Sequence, residues 1–194
     1  MSIVSFDECS VLKLCKITIP EAYKIIFGKE ELFPKNHKKV HSLVNKIKKQ
    51  GLKPYRFEPA SNLSQHALKV GTACIEQTRV NPQFLKIAFR KEVVDQLTEF
   101  TESLNDWEVI QKQEDRAPNV QEIFKQNEQE LRKDKNIPEL DDCSIIAGLL
   151  QEESQKKFLI SEDEHFWGYK RIIQEEFNIT IVPEWDCQNM KIES

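Results

Sequence analysis

The chain carries five glycines, Gly28, Gly51, Gly71, Gly148 and Gly168, and no two lie closer than 20 positions. A loop that cradles a phosphate, or an elbow that presents a nucleophile, needs two or more glycines within a few residues. Only glycine permits so tight a turn and so close a backbone approach. P-loop NTPase, dinucleotide-binding Rossmann and α/β-hydrolase folds are therefore excluded.

Apolar periodicity supplies the element order. Ile3 to Phe6 reads as a short strand ending in Asp7 and Glu8, and a helix is expected over Pro20 to Phe27. Asn36 suits the N-cap of a helix that runs to Gln50 and stops at Gly51, with Val40, Leu43, Val44 and Ile47 forming one buried stripe. Lys53 to Phe57 has strand character, Pro59 to Gln77 reads as helix, and Phe84 to Leu104 as a long amphipathic helix. Trp107 to Ile110 is a short strand candidate and Asn119 to Lys133 another helix. Pro138 suits the first turn of a helix through Gln151. Phe158 to Ile160 then reads as a buried strand, Phe166 to Phe177 as helix, and Ile179 to Val182 as a last strand closed by Pro183.

Strands separated by helices require crossover connections and hence a parallel sheet covered on both faces. The expected fold is a three-layer α/β/α sandwich around a mainly parallel, about five-stranded sheet. At 194 residues, with no repeat and no low-complexity linker, the span 1–194 reads as a single domain. The five cysteines include no CxxC pair, which fits free thiols in a reducing cytoplasm. Asp7 and Glu8 interrupt the apolar N-terminus where a signal peptide needs an unbroken run, and the apolar run Ile145 to Leu150 is too short to span a bilayer. A cytoplasmic protein with no membrane association is expected.

In open parallel sheets, ligands bind beyond the carboxyl ends of the strands, where strand order reverses. Asp7 and Glu8 follow the first strand, and Ser161, Glu162, Asp163 and Glu164 follow the strand ending at Ile160. The helix after Pro138 begins with Glu139, Asp141 and Asp142. Glu139 and Asp141 fit a first helical turn, where acids meet the helix dipole. Asp142 instead shares the apolar stripe of Ile145, Ile146 and Leu149, where a charge needs a compensating partner, and no basic residue is close in sequence. A hard cation, Mg²⁺ or Mn²⁺, shared with the strand-end acids would supply one.

These residues carry a resemblance. The segment Asp142-Cys143-Ser144-Ile145-Ile146-Ala147, followed by Leu159-Ile160-Ser161-Glu162-Asp163-Glu164-His165-Phe166, resembles the C-terminal half of a PIN domain. There an Asp opens a helix of the form Asp-x-x-Ile-x-Ala, and a short strand ends in Thr/Ser-x-Asp-x-Asp-Phe. Ser161, Asp163 and Phe166 match, and the first strand with Asp7 is similar to the opening motif. His165 stands where many members keep a fourth carboxylate, and Ser64, Gln65 and His66 occupy the region of the usual helix Glu. The resemblance implies a Mg²⁺/Mn²⁺-dependent endoribonuclease acting on single-stranded RNA. Asp7, Asp142 and Asp163 would be its catalytic, metal-binding residues and Ser161 a supporting hydroxyl. Glu8, Asp141 and His165 are further metal-ligand candidates. An antitoxin or other protein partner and a homodimer are the associations such relatives make.

Lys35, Lys38, Lys39, Lys46, Lys48, Lys49, Lys53 and Arg56 fall between Glu31 and Glu58 with no acid among them, although the formal net charge is −4. Lys46, Lys49 and Lys53 are the RNA-contact candidates in that run. His37 and His41 stand at i, i+4 without the glutamate of a zincin motif and beside lysines that repel a cation. Trp167 and Tyr169 follow the acid-bearing loop and are candidates for stacking on bases. Two other functions compete: a degenerate PIN-like module that binds RNA or protein without cleaving, and another acid-site hydrolase such as a phosphatase. A haloacid-dehalogenase-like phosphatase wants Asp-x-Asp after its first strand, and Cys9 stands where the second Asp belongs.

Overall fold

A computed structural model describes residues 2–12, 14, 37–57, 95–96, 98–127 and 137–192. In chain order these form β1 (Ser2–Phe6), α1 (Glu8–Leu12), α2 (His37–Lys49), β2 (Tyr55–Arg56), β3 (Glu108–Val109), α3 (Ala117–Gln126) and α4 (Leu140–Gln151). There follow β4 (Lys156–Ile160), α5 (Glu164–Gly168), α6 (Lys170–Phe177), β5 (Ile179–Val182) and a 3₁₀ turn over Cys187–Asn189. Residues 98–103 are also helical. The helices expected over Pro20 to Phe27 and Pro59 to Gln77, and most of the one over Phe84 to Leu104, lie outside the described residues.

The five strands form one sheet in the order β3-β2-β1-β4-β5, with every neighbouring pair parallel. The chain builds outward from β1 to β3 on one side and then from β4 to β5 on the other. Order therefore reverses between β1 and β4, which places the switch point between Phe6 and Ile160, paired in register. Asp7 leaves that point from one strand and Ser161 from the other.

Strand alternation sends side chains to opposite faces and separates two cores. Val4, Phe6, Ile160 and Val182 face the core with Val40, Leu43, Val44 and Ile47 of α2, Phe100 of the helical residues 98–103, Leu104 in the turn that follows them, and Met190 and Ile192. Ile3, Leu159, Ile179 and Ile181 face the other, with Phe124 of α3, Ile146 and Leu149 of α4 and Ile172 and Ile173 of α6. Helices thus cover both faces, giving the three-layer α/β/α sandwich. Each fully buried Leu, Ile or Phe contributes roughly 1.5–3 kcal/mol of transfer free energy, so the i, i+3, i+4, i+7 stripe of α2 fixes its rotation against the sheet. Gly51 ends α2 in a left-handed conformation at φ 71°. Gly148 answers a packing need instead: a Cβ there would meet the Gln111 carbonyl oxygen at 2.6 Å, so glycine lets α4 lie against the segment after β3.

Several expected boundaries are corrected. The strands around Tyr55 and Glu108 are only two residues each, so Lys53, Trp107 and Ile110 fall outside them. The helix expected from Asn119 begins at Ala117, because Pro118 suits a first turn that needs no N–H, and its described part ends at Gln126, capped by Asn127. Pro138 precedes α4 rather than opening it; Glu139 is the N-cap and forms a capping box with Asp142. The single helix expected from Phe166 to Phe177 is two, broken at Tyr169. That ring is buried against Phe124, 5.2 Å between centroids in an edge-on contact, and tertiary packing overrides local helix preference there.

Candidate functional site

The carboxyl edge of β1, β4 and β5 gathers two groups of polar side chains. The first is closed. Asp7 is only 5% exposed, and its backbone N–H continues the β1–β4 ladder to the Ile160 carbonyl at 3.1 Å. The Ser10 N–H donates to Asp7 Oδ1 at 2.7 Å, and the Ser161 hydroxyl donates to Asp7 Oδ2. The Ser10 hydroxyl in turn donates to Glu184 Oε1 at 2.7 Å, with the Ile160 carbonyl a second acceptor at 3.1 Å. Glu184, just beyond β5, is fully buried.

The second group is half-open. Asp142, Asp163 and His165 each offer a ligand atom, and these atoms lie within 4.8 Å of one another. Asp163 is the N-cap of α5 and accepts the His165 N–H on Oδ1 at 2.7 Å. His165 Nδ1 sits 2.9 Å from Asp142 Oδ2 and 3.6 Å from Asp163 Oδ1. Asp142 Oδ2 also accepts the Glu139 N–H at 3.1 Å. Ser161 joins the two groups, because its hydroxyl donates to Asp7 and accepts the Asp163 N–H at 3.0 Å.

Partial burial pushes the Asp142 carboxyl above the ordinary aspartate value, and the negative charge of Asp163 adds to that push. The Glu139 N–H and His165 oppose it. Two carboxylates this close favour a shared cation, and two carboxylate oxygens with one imidazole nitrogen form a chemically competent donor set for one. The residues therefore fit a divalent metal ion.

Among the sequence-derived candidates, Asp142, Asp163 and His165 are brought together, while Asp7 lies outside that trio and reaches it through Ser161. Asp142 finds its partner in His165, 23 positions along the chain, rather than in a neighbouring base. Glu8 and Asp141, the other metal-ligand candidates, do not belong to the trio. Glu8 is exposed in the first turn of α1, and Asp141 pairs with Lys112 Nζ at 3.0 Å. Lys53 pairs with Glu108 at 2.6 Å at the amino end of β2, and Lys46 donates to the Met190 carbonyl at 2.6 Å near the C-terminal end of α2. Lys49 lies on that same end of α2. The basic residue that α2 does deliver to the carboxyl edge is Lys39, whose Nζ donates to the Trp185 carbonyl at 2.5 Å. Tyr169 is corrected as a stacking candidate, being buried in the core.

Sequence reasoning missed Glu184 and Trp185. The rule applied to the first and fourth strands, that acids just past an apolar strand sit at the functional edge, would have found Glu184 if applied after Ile179 to Val182. Cys143 and Cys187 are free thiols, and burial pushes them up to about 12 and about 11 respectively, so neither is an activated nucleophile. Among the described residues, no helix is long and apolar enough to cross a membrane.

Fold and site together define a class: an all-parallel α/β/α protein with carboxylates converging on its switch point. No protein-family model, curated protein or solved structure matches the chain.

Proposed function

We propose that this chain is a PIN-like, Mg²⁺- or Mn²⁺-dependent endoribonuclease that hydrolyses phosphodiester bonds of single-stranded RNA. The observation that carries the reading is the convergence of Asp142, Asp163 and His165 within 4.8 Å, beside Asp7, at the strand-order switch. Asp142, Asp163 and His165 would hold the ion. When bound, a divalent ion supplies Lewis acidity toward a phosphodiester and a nucleophilic water at neutral pH. The chain's own residues provide orientation. Ser10 and Ser161 fix both oxygens of Asp7, and Asp142, 2.9 Å from His165 Nδ1, sets the orientation of the imidazole ring.

A second reading, a PIN-like module that binds without cleaving, has its own support. Asp163 already caps α5 and Asp142 already bonds His165, so each acid has a structural task that needs no cation.

Thermal unfolding with and without Mn²⁺ in chelator-treated buffer, for wild type and Asp163→Asn, separates the two. At about 100 times Kd, linkage adds about 2.7 kcal/mol, a rise of about 5–10 °C for a chain this size. The nuclease reading expects that rise in wild type alone, followed by Mn²⁺-dependent, EDTA-sensitive cleavage of unstructured RNA. Two folded proteins with no rise, and no cleavage, would leave the binding module.

A further inference from the structure

Beside the acid cluster lies a pair of stacked tryptophans. Trp167 on α5 and Trp185 after β5 have ring centroids 5.2 Å apart and an interplanar angle of 23°. Trp167 is tied to the site itself, since its Nε1–H donates to the Ser161 carbonyl at 3.1 Å, on the residue that also bonds Asp7 and Asp163. Two cations border the pair: Lys170 Nζ sits 4.8 Å over the Trp167 ring, and Lys39 Nζ donates to the Trp185 backbone. Trp185 is 49% exposed, one of three large apolar side chains left open to solvent among the described residues.

Trp185 is backed on one side by a second indole and half open to solvent, which presents an aromatic surface that a planar ligand can reach. Aromatic side chains bordered by lysines are the surface that single-stranded nucleic acids use, each base adding its π-face while the cations meet the backbone. We infer that Trp185, backed by Trp167 and flanked by Lys39 and Lys170, is a stacking platform for an unpaired base of single-stranded RNA. The choice of RNA over another planar ligand rests on the nuclease reading of the neighbouring acids. A base on Trp185 sets the strand's register next to Asp163 through the Trp167–Ser161 link. The platform also favours single strands over duplexes, whose bases have no free face.

The test is binding of fluorescein-labelled oligoadenylate by anisotropy in EDTA, for wild type, Trp185→Ala and Asp163→Asn, with the same strand paired to oligouridylate as the control. Wild type is expected to bind the single strand in preference to the duplex and to show quenched tryptophan fluorescence on binding. Trp185→Ala is expected to weaken single-strand binding about tenfold, the loss of one stacked base, while keeping the wild-type Mn²⁺ thermal shift. Asp163→Asn is expected to bind at least as tightly as wild type, since without metal it only removes a negative charge beside the strand. Equal affinity of Trp185→Ala and wild type, equal affinity for duplex, no binding by wild type, or quenching by a proline-rich peptide instead of RNA would each overturn the platform. Its failure is distinct from failure of the nuclease reading. Trp185-dependent RNA binding with no Mn²⁺ shift and no cleavage would end the nuclease and leave the platform. An Mn²⁺ shift with cleavage unaffected by Trp185→Ala would do the reverse.

Discussion

At one edge of the sheet, Asp7 and Glu184 are sealed among serine hydroxyls and backbone groups, while Asp142 and Asp163 stand partly open around an imidazole. Asp7, Glu184 and Asp163 follow strand ends, since parallel strands deliver their next residues to one side, and Asp142 joins them from the first turn of α4. The two pairs differ in what satisfies the charge. In the closed set, Ser10 and Ser161 supply fixed donors, so desolvation is offset by hydrogen bonds made on folding. In the half-open set the side chains are 15% exposed for Asp142 and 39% for Asp163, and solvent or a ligand must complete the shell. The closed acids are fixed in place, and the half-open ones are those a ligand can reach.

Asp163→Asn puts the greatest strain on that distinction. Asparagine caps a helix as well as aspartate does, so α5 keeps its N-cap and stability without metal should change by less than about 0.5 kcal/mol. The Mn²⁺-induced rise should vanish, and RNA cleavage should fall by about 100-fold or more, the scale of losing charge stabilisation worth several kcal/mol. Calorimetry and a cleavage time course check both. A large loss of stability without metal would instead make Asp163 chiefly a cap.

Ser10→Ala tests the closed set. It removes the hydroxyl that donates to the buried Glu184 while leaving the Ser10 N–H on Asp7. Leaving a buried acceptor short of a partner costs about 1–3 kcal/mol, with or without metal. Denaturant unfolding should therefore show one constant loss, and the Mn²⁺ rise should persist on top of it. If the rise disappears as well, Asp7 and its serines belong to the metal site rather than to its support.

Local pattern was enough for the elements that carry long apolar signals. Ile179 to Val182 emerges unchanged, β1 and β4 differ from expectation only at their starts, and α2 is set by its stripe and by Gly51. The strand-end rule found Asp7 and Asp163, and the misplaced charge on an apolar stripe found Asp142. What stayed illegible depends on contacts between distant residues. His165 meets Asp142 across 23 positions, and Ser10 meets Glu184 across 174, separations that no window of sequence reports. The break at Tyr169 is of the same kind, a ring pulled into the core by Phe124 on another helix. Trp185 carries no local signal, because its meaning comes from Trp167 and Lys39.

The raised Asp142 carboxyl gives a smaller, pH-dependent effect. A raised acid is disfavoured in its ionised form by the folded protein, so its contribution to stability is fully present below the ordinary aspartate range. That contribution is lost as pH rises through the raised value. A cation works against that trend, since it binds the ionised ligands. The Mn²⁺-induced rise should therefore shrink as pH falls through the Asp142 value, and Asp142→Asn should flatten the metal-free profile in the same window. A thermal-shift series across acidic pH, with and without Mn²⁺, reads both. An Mn²⁺ rise that is unchanged on acidification would mean that Asp142 is not a ligand.

The smallest effect belongs to Asp141, one residue from Asp142 and on the other side of the comparison. Its carboxylate is 69% exposed and pairs with Lys112 at 3.0 and 3.1 Å, in the first turn of α4 where the helix dipole also favours it. Exposed ion pairs and first-turn acids each contribute little, because water screens both. Asp141→Asn should thus cost no more than about 1 kcal/mol and fade further at high salt, with the Mn²⁺ rise and RNA cleavage both unchanged. Neighbours on one helical turn would then differ completely in metal response. That result would show that orientation around α4, rather than local acidity, selects the ligand. If Asp141→Asn abolished the metal response instead, the ion would sit toward Lys112, and the trio of Asp142, Asp163 and His165 would be a structural hydrogen-bond cluster.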